Sequence, residues 1–153
     1  MSTKKILSTG NAALDLAIDT IKIGKQALVF VNTKRSAEKT AEDISKKVRT
    51  NDRKLVGLSE NVLKALSSHT KQCKRLSACV KKGIAFHHAG LIAKQRELIE
   101  DNFRNGVIKI ICCTPTLAFG LDLPAFRAII KDLRRYGSRG LNYIPVLEYL
   151  QMA

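Results

Sequence analysis

A chain of 153 residues, 45% hydrophobic and 26% charged, is long enough to bury one substantial core and belongs with soluble globular domains, not with disordered or fibrous chains. Its 27 basic against 13 acidic residues leave a net charge of +14. That excess points to a polyanion as partner, because clustered Lys and Arg gain by releasing counterions condensed on nucleic acid; a solvated basic surface is the competing reading.

Aromatic residues make up only 5% of the chain and Trp is absent, so base-stacking platforms are poorly supplied and backbone contact is the expected mode of binding. The apolar runs fall far short of a membrane span, and M-S-T-K-K-I-L at the start is neither long nor apolar enough for a signal peptide, so a cytoplasmic protein with no membrane partner is expected. Cys73 and Cys79 lie six apart and Cys112 and Cys113 are adjacent. Neither pair has C-x-x-C spacing, and all four read as small buried thiols with no metal.

In chain order, Ala13, Leu14, Ala17, Ile18 and Ile21 recur at helical spacing, and Gly24 stops that segment. Gln26 to Val31 is an apolar run of strand length, broken by Asn32 and Thr33, whose side chains can cap the next segment. From Ser36 the positions Ala37, Ala41, Ile44 and Val48 form one stripe, so a strand is followed by a helix. Residues 49–59 read as a loop, and two helical patterns come after it, Glu60 to Ser67 and Lys71 to Lys82. Residues 49–82 therefore read as a helical elaboration of a crossover, and Lys71, Lys74, Arg75, Lys81 and Lys82 on it as a solvated face before a binding one.

Gly83 opens a second strand, I-A-F, running into His87-His88-Ala89-Gly90-Leu91. No third ligand stands at a usual metal spacing from the two histidines, so one imidazole is expected to pack or bond to backbone while the other faces the ligand side. A long helix from Leu91, with Gln95, Leu98, Ile99, Asn102 and Phe103 on one side, ends at Asn105-Gly106. Lys109 to Cys113 is a third strand, and Thr114-Pro115-Thr116-Leu117-Ala118-Phe119-Gly120-Leu121-Asp122 leaves its carboxyl end. In parallel α/β sheets that edge binds ligands. Thr114 and Thr116 offer hydroxyls for phosphate, Gly120 close backbone approach, and Asp122 an acceptor for a ribose hydroxyl; an ordinary threonine-capped connection explains the same spacing.

A helix after this loop cannot pass Leu123-Pro124. A fourth strand is expected over Arg127 to Lys131, a basic turn over Asp132 to Gly137, and a terminal helix over Val146 to Met152 with Pro145 at its first position. The end at Ala153, inside that helix, reads as a boundary within a longer protein. Strands alternate with helices throughout, which predicts a single α/β domain over residues 1–153, a mostly parallel sheet covered on both faces.

Four strings in order, F-V-N-T-K-R-S-A-E at 30–38, H-H-A-G-L at 87–91, C-T-P-T-L-A-F-G-L-D-L-P-A at 113–125 and I-P-V-L-E-Y-L-Q-M-A at 144–153, resemble the second RecA-like domain of Ski2-like superfamily 2 helicases. The archaeal DNA repair helicases of that group are the most similar. The resemblance implies a RecA-like three-layer sandwich. It implies motif IV at 30–38, with Asn32, Thr33, Lys34 and Arg35 facing nucleic acid, and motif IVa at 87–90, with His87, His88 and Gly90 on the strand-tracking side. It implies motif V at 114–122, with Thr114 and Thr116 on the phosphate backbone, and with Gly120 and Asp122, joined by Gln151 of motif VI, on the nucleotide. Many relatives carry Asn where this chain has Asp122, and a carboxylate there suits a ribose contact.

The family's motif VI continues from Q-M into G-R-A-G-R, whose arginines reach the γ-phosphate; this sequence stops at Ala153 and also has no G-x-x-x-x-G-K-[ST] string. The resemblance thus implies one motor domain of an ATP-dependent 3′–5′ DNA helicase of repair or stalled-fork processing, monomeric and nucleoid-associated. Single-stranded or forked DNA and the first RecA-like domain of the same parent chain are its expected partners. ATP and Mg²⁺ act in that parent, the Mg²⁺ held by the other domain, and this piece alone is expected to bind no cofactor and to be inactive as an ATPase. Two alternatives remain: a non-enzymatic binding or docking module of the same fold, and an RNA-directed Ski2-like helicase.

Overall fold

The computed structural model describes residues 11–114 and 123–131, together with the backbone of 134–137, 140–143 and 147–150. Among the described residues, five helices and seven strands run in the order α1 (Ala12–Lys22), β1 (Ala27–Phe30), α2 (Lys34–Ser45), α3 (Arg53–Lys64), α4 (Lys71–Val80), β2 (Ile84–His87), α5 (Ala93–Arg104), β3 (Ile110–Cys113), β4 (Arg127–Ile130), β5 (Arg134–Gly137), β6 (Gly140–Tyr143) and β7 (Leu147–Leu150). Short polar side chains start four of the helices. Asn11, Thr33, Asp52 and Thr70 accept from the amides of Leu14, Ser36, Lys54 and Cys73 and satisfy donors that the first turn leaves unpaired.

The main sheet has the order β2-β3-β1-β4-β7. Its first four strands are parallel, and β7 pairs antiparallel with β4. Strands β1, β2 and β3 are mostly apolar and buried, as a sheet covered on both faces requires. Side chains of neighbouring strand residues point to opposite faces, so the contacts of His87 with α5 and of His88 with α2 place those helices on opposite sides of the sheet. Helix α1 packs beside α2, and α4 packs on α2 and β2. This is the expected α/β sandwich.

Half-buried and buried polar side chains fix the helices to the sheet. Gln26 donates from Nε2 to the carbonyls of Phe103 (2.6 Å) and Ile108 (2.7 Å), tying β1 to the end of α5 and the start of β3. Arg127, on β4, donates from Nη1 to Asp19 Oδ2 (2.8 Å) and Thr20 Oγ1 (3.1 Å) on α1.

Three expectations are corrected. Residues 49–59 are not all loop, because Asp52 caps a helix that begins at Arg53 and buries Leu55, Leu58, Ser59 and Val62. Gly57 weakens the local helical preference, but burial of that stripe outweighs about 1 kcal/mol of propensity. The basic turn over 132–137 is replaced in part by strand β5, paired antiparallel with β6 so that Gly137 stands opposite Gly140. The terminal helix is replaced by β7 over 147–150, which gives the edge of β4 a backbone partner. Pro145 and any helix ahead of Leu123 lie outside the described residues. Among the described residues no helix is long and apolar enough to cross a membrane.

Candidate nucleic-acid interface

The register sets the geometry of the site. Phe30 and His87 both stand opposite Cys113, and Phe30 also stands opposite Ile130, so four parallel strands end level. The segments leaving β1, β2 and β3 therefore emerge on one rim, made of residues 32–35, residues 88–90 and Thr114. Strand β1 leads toward β2 and β3 leads toward β4, in opposite directions along the sheet. A crevice opens where neighbouring connections diverge in this way.

Asn32, Thr33, Lys34 and Arg35 are exposed at the entry to α2. Thr33 Oγ1 caps the helix by accepting from Ser36 N at 3.0 Å, which orients the turn and leaves the hydroxyl proton available to donate. Two cations at a helix N-terminus oppose its dipole, so the local helix does not explain them, whereas an anion laid across the turn does. Ala89 and Gly90 are exposed beside them, and Thr114 is half-buried at the end of β3.

Both histidines are buried, each 1% exposed. The expected division, one imidazole inside and one turned to a ligand, is not what the packing gives; each ring meets a carboxylate. His87 Nε2 lies 2.7 Å from Glu100 Oε2 on α5, and its Nδ1 has no hydrogen-bond partner. Burial holds the His87 pKa below the usual histidine value, and the bond to Glu100 pulls the other way. His88 Nδ1 accepts from Gly90 N at 3.0 Å, so the proton sits on Nε2, which donates to Glu38 Oε2 at 2.8 Å. The His88 ring also stacks on Phe86, with centroids 5.6 Å apart. A Cβ at Gly90 would come within 2.9 Å of His88 Cε1, so only glycine fits this turn without displacing the ring.

Glu38 is the junction of the site. One oxygen takes His88, and the other takes Arg75 Nη1 from α4 at 2.7 Å. Arg75 also bonds Glu42, which holds that carboxyl below its ordinary range and raises the guanidinium in turn. Gln72 Nε2 donates to Gly90 O at 3.3 Å. Helix α4 thereby clamps the 88–90 turn to α2 and links two of the rim turns. The sequence alone assigns no role to Glu38, Gln72, Arg75 or Glu100 in this site, although Glu38 lies within the first of the four strings.

The rim thus brings Asn32, Thr33, Lys34, Arg35, Gly90 and Thr114 to one edge, with His87 and His88 as posts beneath it. Thr116, Gly120, Asp122 and Gln151 lie outside the described residues. All four cysteines are buried. Burial pushes the Cys79 thiol up to about 11 and the Cys113 thiol up to about 12, so neither is a nucleophile at neutral pH. Among the described residues no group of three His, Cys, Asp or Glu side chains could hold a metal ion.

A mostly parallel sheet with a basic, threonine-bearing rim at its carboxyl edge is the form of an α/β domain that binds phosphate groups at its strand ends. The chain belongs to the helicase conserved C-terminal domain family, whose sequence model matches residues 10–136. It is 48% identical over 146 residues to the ATP-dependent DNA helicase Hel308 of Methanococcus vannielii, an alignment covering 92% of this chain and 19% of that protein. It is 46% identical over 147 residues to the ATP-dependent DNA helicase Hel308 of Methanocella arvoryzae (90% and 19%), and 46% identical over 143 residues to that of Pyrococcus abyssi (93% and 20%). The chain spans about a fifth of the length of these curated relatives.

Proposed function

We propose that this chain is the second RecA-like motor domain of an ATP-dependent DNA helicase moving 3′ to 5′, and that its rim grips the phosphate backbone of single-stranded or forked DNA. The level ending of β1, β2 and β3, which gathers three separate sequence strings on one edge, is the observation that carries this reading. Lys34 and Arg35 supply charge, while Thr33, Thr114 and Thr116 supply hydroxyls to phosphate oxygens. Such contacts position a strand without reading its bases, which is what a translocating motor needs. Repair or stalled-fork processing, in a cytoplasmic, nucleoid-associated monomer, is the setting we propose from the resemblance of its four sequence strings to archaeal DNA repair helicases.

Gly120, Asp122 and Gln151 would meet ATP in a cleft shared with the first RecA-like domain of the parent, which supplies the phosphate loop and holds Mg²⁺. ATP supplies the energy that opens and closes this cleft. This chain's part is to change its grip as the cleft closes, with the Glu38 junction making residues 32–35 and 88–90 respond together.

The polypeptide alone has no G-x-x-x-x-G-K-[ST] string, hence no phosphate cradle of that kind, and it should not hydrolyse ATP. Fluorescence anisotropy with labelled single-stranded DNA at low salt tests the binding half: weak, salt-sensitive association is expected, and no association at any salt would refute it. Turnover of ATP by the purified chain would refute the shared cleft.

A further inference from the structure

We propose a second phosphate-backbone contact on the opposite rim of the sheet: a cationic groove at the amino ends of β2 and β3, centred on Lys82. Two depressions of about 430 and 400 Å³ share that residue as a common wall. The first carries Lys46, Lys74 and Arg75, and the second carries Arg49, Lys54 and Lys109 beside Gly83. Because Gly83 and Lys109 precede β2 and β3, the second depression lies at the end of the sheet away from Asn32, Gly90 and Thr114.

The charge is not balanced from within. Seven cations face three carboxylates, Glu42 and Asp52 in the lining and Glu38, which bonds Arg75 from outside it. Glu42 is bonded to Arg75, and Asp52 caps α3 by accepting from Lys54 N at 2.8 Å. Arg49, Lys54, Lys82 and Lys109 form no ion pair among the described residues. Helices α1, α2, α4 and α5 end beside the groove, and each C-terminus offers about half a negative charge, roughly −2 together. That offsets about half of an excess of four. The remainder calls for an anion from outside.

The lining decides which anion. No aromatic side chain lines either depression among the described residues, and protein interfaces depend on buried aromatic anchors. Flexible lysines lining two adjoining depressions suit a repeating, regularly charged chain, and nucleic-acid backbone is that chain. The inference rests on the reading that this protein works on nucleic acid. It adds a second contact, placed so that a strand leaving the first rim is held behind the sheet.

The test compares two variants of the full chain with the parent sequence, Arg49→Gln/Lys54→Gln/Lys82→Gln in the groove and Lys34→Ala/Arg35→Ala on the rim. Binding of a long and a short labelled single-stranded oligonucleotide is followed by anisotropy over a salt series. Thermal melts confirm that both variants are folded, and a single Lys82→Gln variant replaces the triple if it is not. Three lost phosphate contacts lower the slope of log K against log salt by roughly 2 for single strands. That loss is expected for the long oligonucleotide in the groove variant, with little change for the short one. An unchanged slope with the long oligonucleotide, while the rim variant still loses affinity, overturns the groove and leaves the first rim standing. Loss in neither variant overturns the nucleic-acid reading itself. Poly-glutamate competing as well as the oligonucleotide for the groove, mole for mole of charge, would assign it to an acidic protein and also overturn the proposal.

Discussion

His88 Nε2 donates to Glu38 Oε2 across 50 residues of sequence, at 2.8 Å, and this one bond joins the end of β2 to the start of α2. His88 is 1% exposed, so its proton has no water to fall back on. Glu38→Ala should therefore cost about 1–3 kcal/mol, the penalty of an unsatisfied buried donor, read as a lower urea midpoint at unchanged m. Arg75→Ala removes the other arm, but Arg75 is 40% exposed, and the loss should stay within about 1 kcal/mol. A larger loss for Arg75→Ala than for Glu38→Ala would place the junction elsewhere.

Gly90→Ala puts a methyl 2.9 Å from His88 Cε1. The ring cannot retreat, because it is stacked on Phe86 and bonded to Glu38. Overpacking of this kind costs roughly 1–3 kcal/mol. Weaker single-strand binding should accompany the lost stability, because the displaced turn belongs to the rim. Equal binding by the variant and the parent sequence would separate residues 88–90 from the nucleic-acid path.

Acid should destabilise the fold through His87. Its folded pKa lies below the unfolded value near about 6.5, so between the two the unfolded chain holds the extra proton and stability rises with pH. Stability is complete above about 6.5 and declines as pH falls below it. His87→Gln keeps a donor for Glu100 without the titration, and it should flatten urea midpoints between about pH 7 and pH 5. Glu42 acts in the same direction at lower pH: its depressed pKa contributes stability above the unfolded value near about 4.3, lost as pH falls through the folded one. A His87→Gln variant with the parent's acid slope would contradict the assignment.

The buried thiols give a direct probe of opening. Cys79, Cys112 and Cys113 are at most 1% exposed, with thiols raised by burial. Ellman's reagent should label them only as fast as the fold opens, with full labelling in urea. Immediate labelling of three thiols in the native protein would be inconsistent with this packing.

Much of this fold is legible in the sequence because it is local. Q-A-L-V-F-V and I-I-C-C are short apolar runs ended by turn residues, and they form β1 and β3. Asn32-Thr33 has the side chains of a cap, and Thr33 is one. The rim comes from placing the segments after those strands on one edge. The supports beneath it are not legible, because Glu38 with His88 and Arg75, and His87 with Glu100, meet only after the chain has crossed the sheet. Gly57 hides the start of α3, although Leu55, Leu58 and Val62 already carry its stripe. Strand β7 resembles a helix in sequence because L-E-Y-L is too short to show a period; its pairing depends on the edge that β4 presents.

The most direct measurement of the central claim is an amide chemical-shift map of the ¹⁵N-labelled chain titrated with single-stranded DNA. Asn32 to Arg35, Ala89, Gly90 and Thr114 should shift together along one binding curve, because three strands deliver them to the same rim. Saturation of binding with all of these amides unmoved would contradict it.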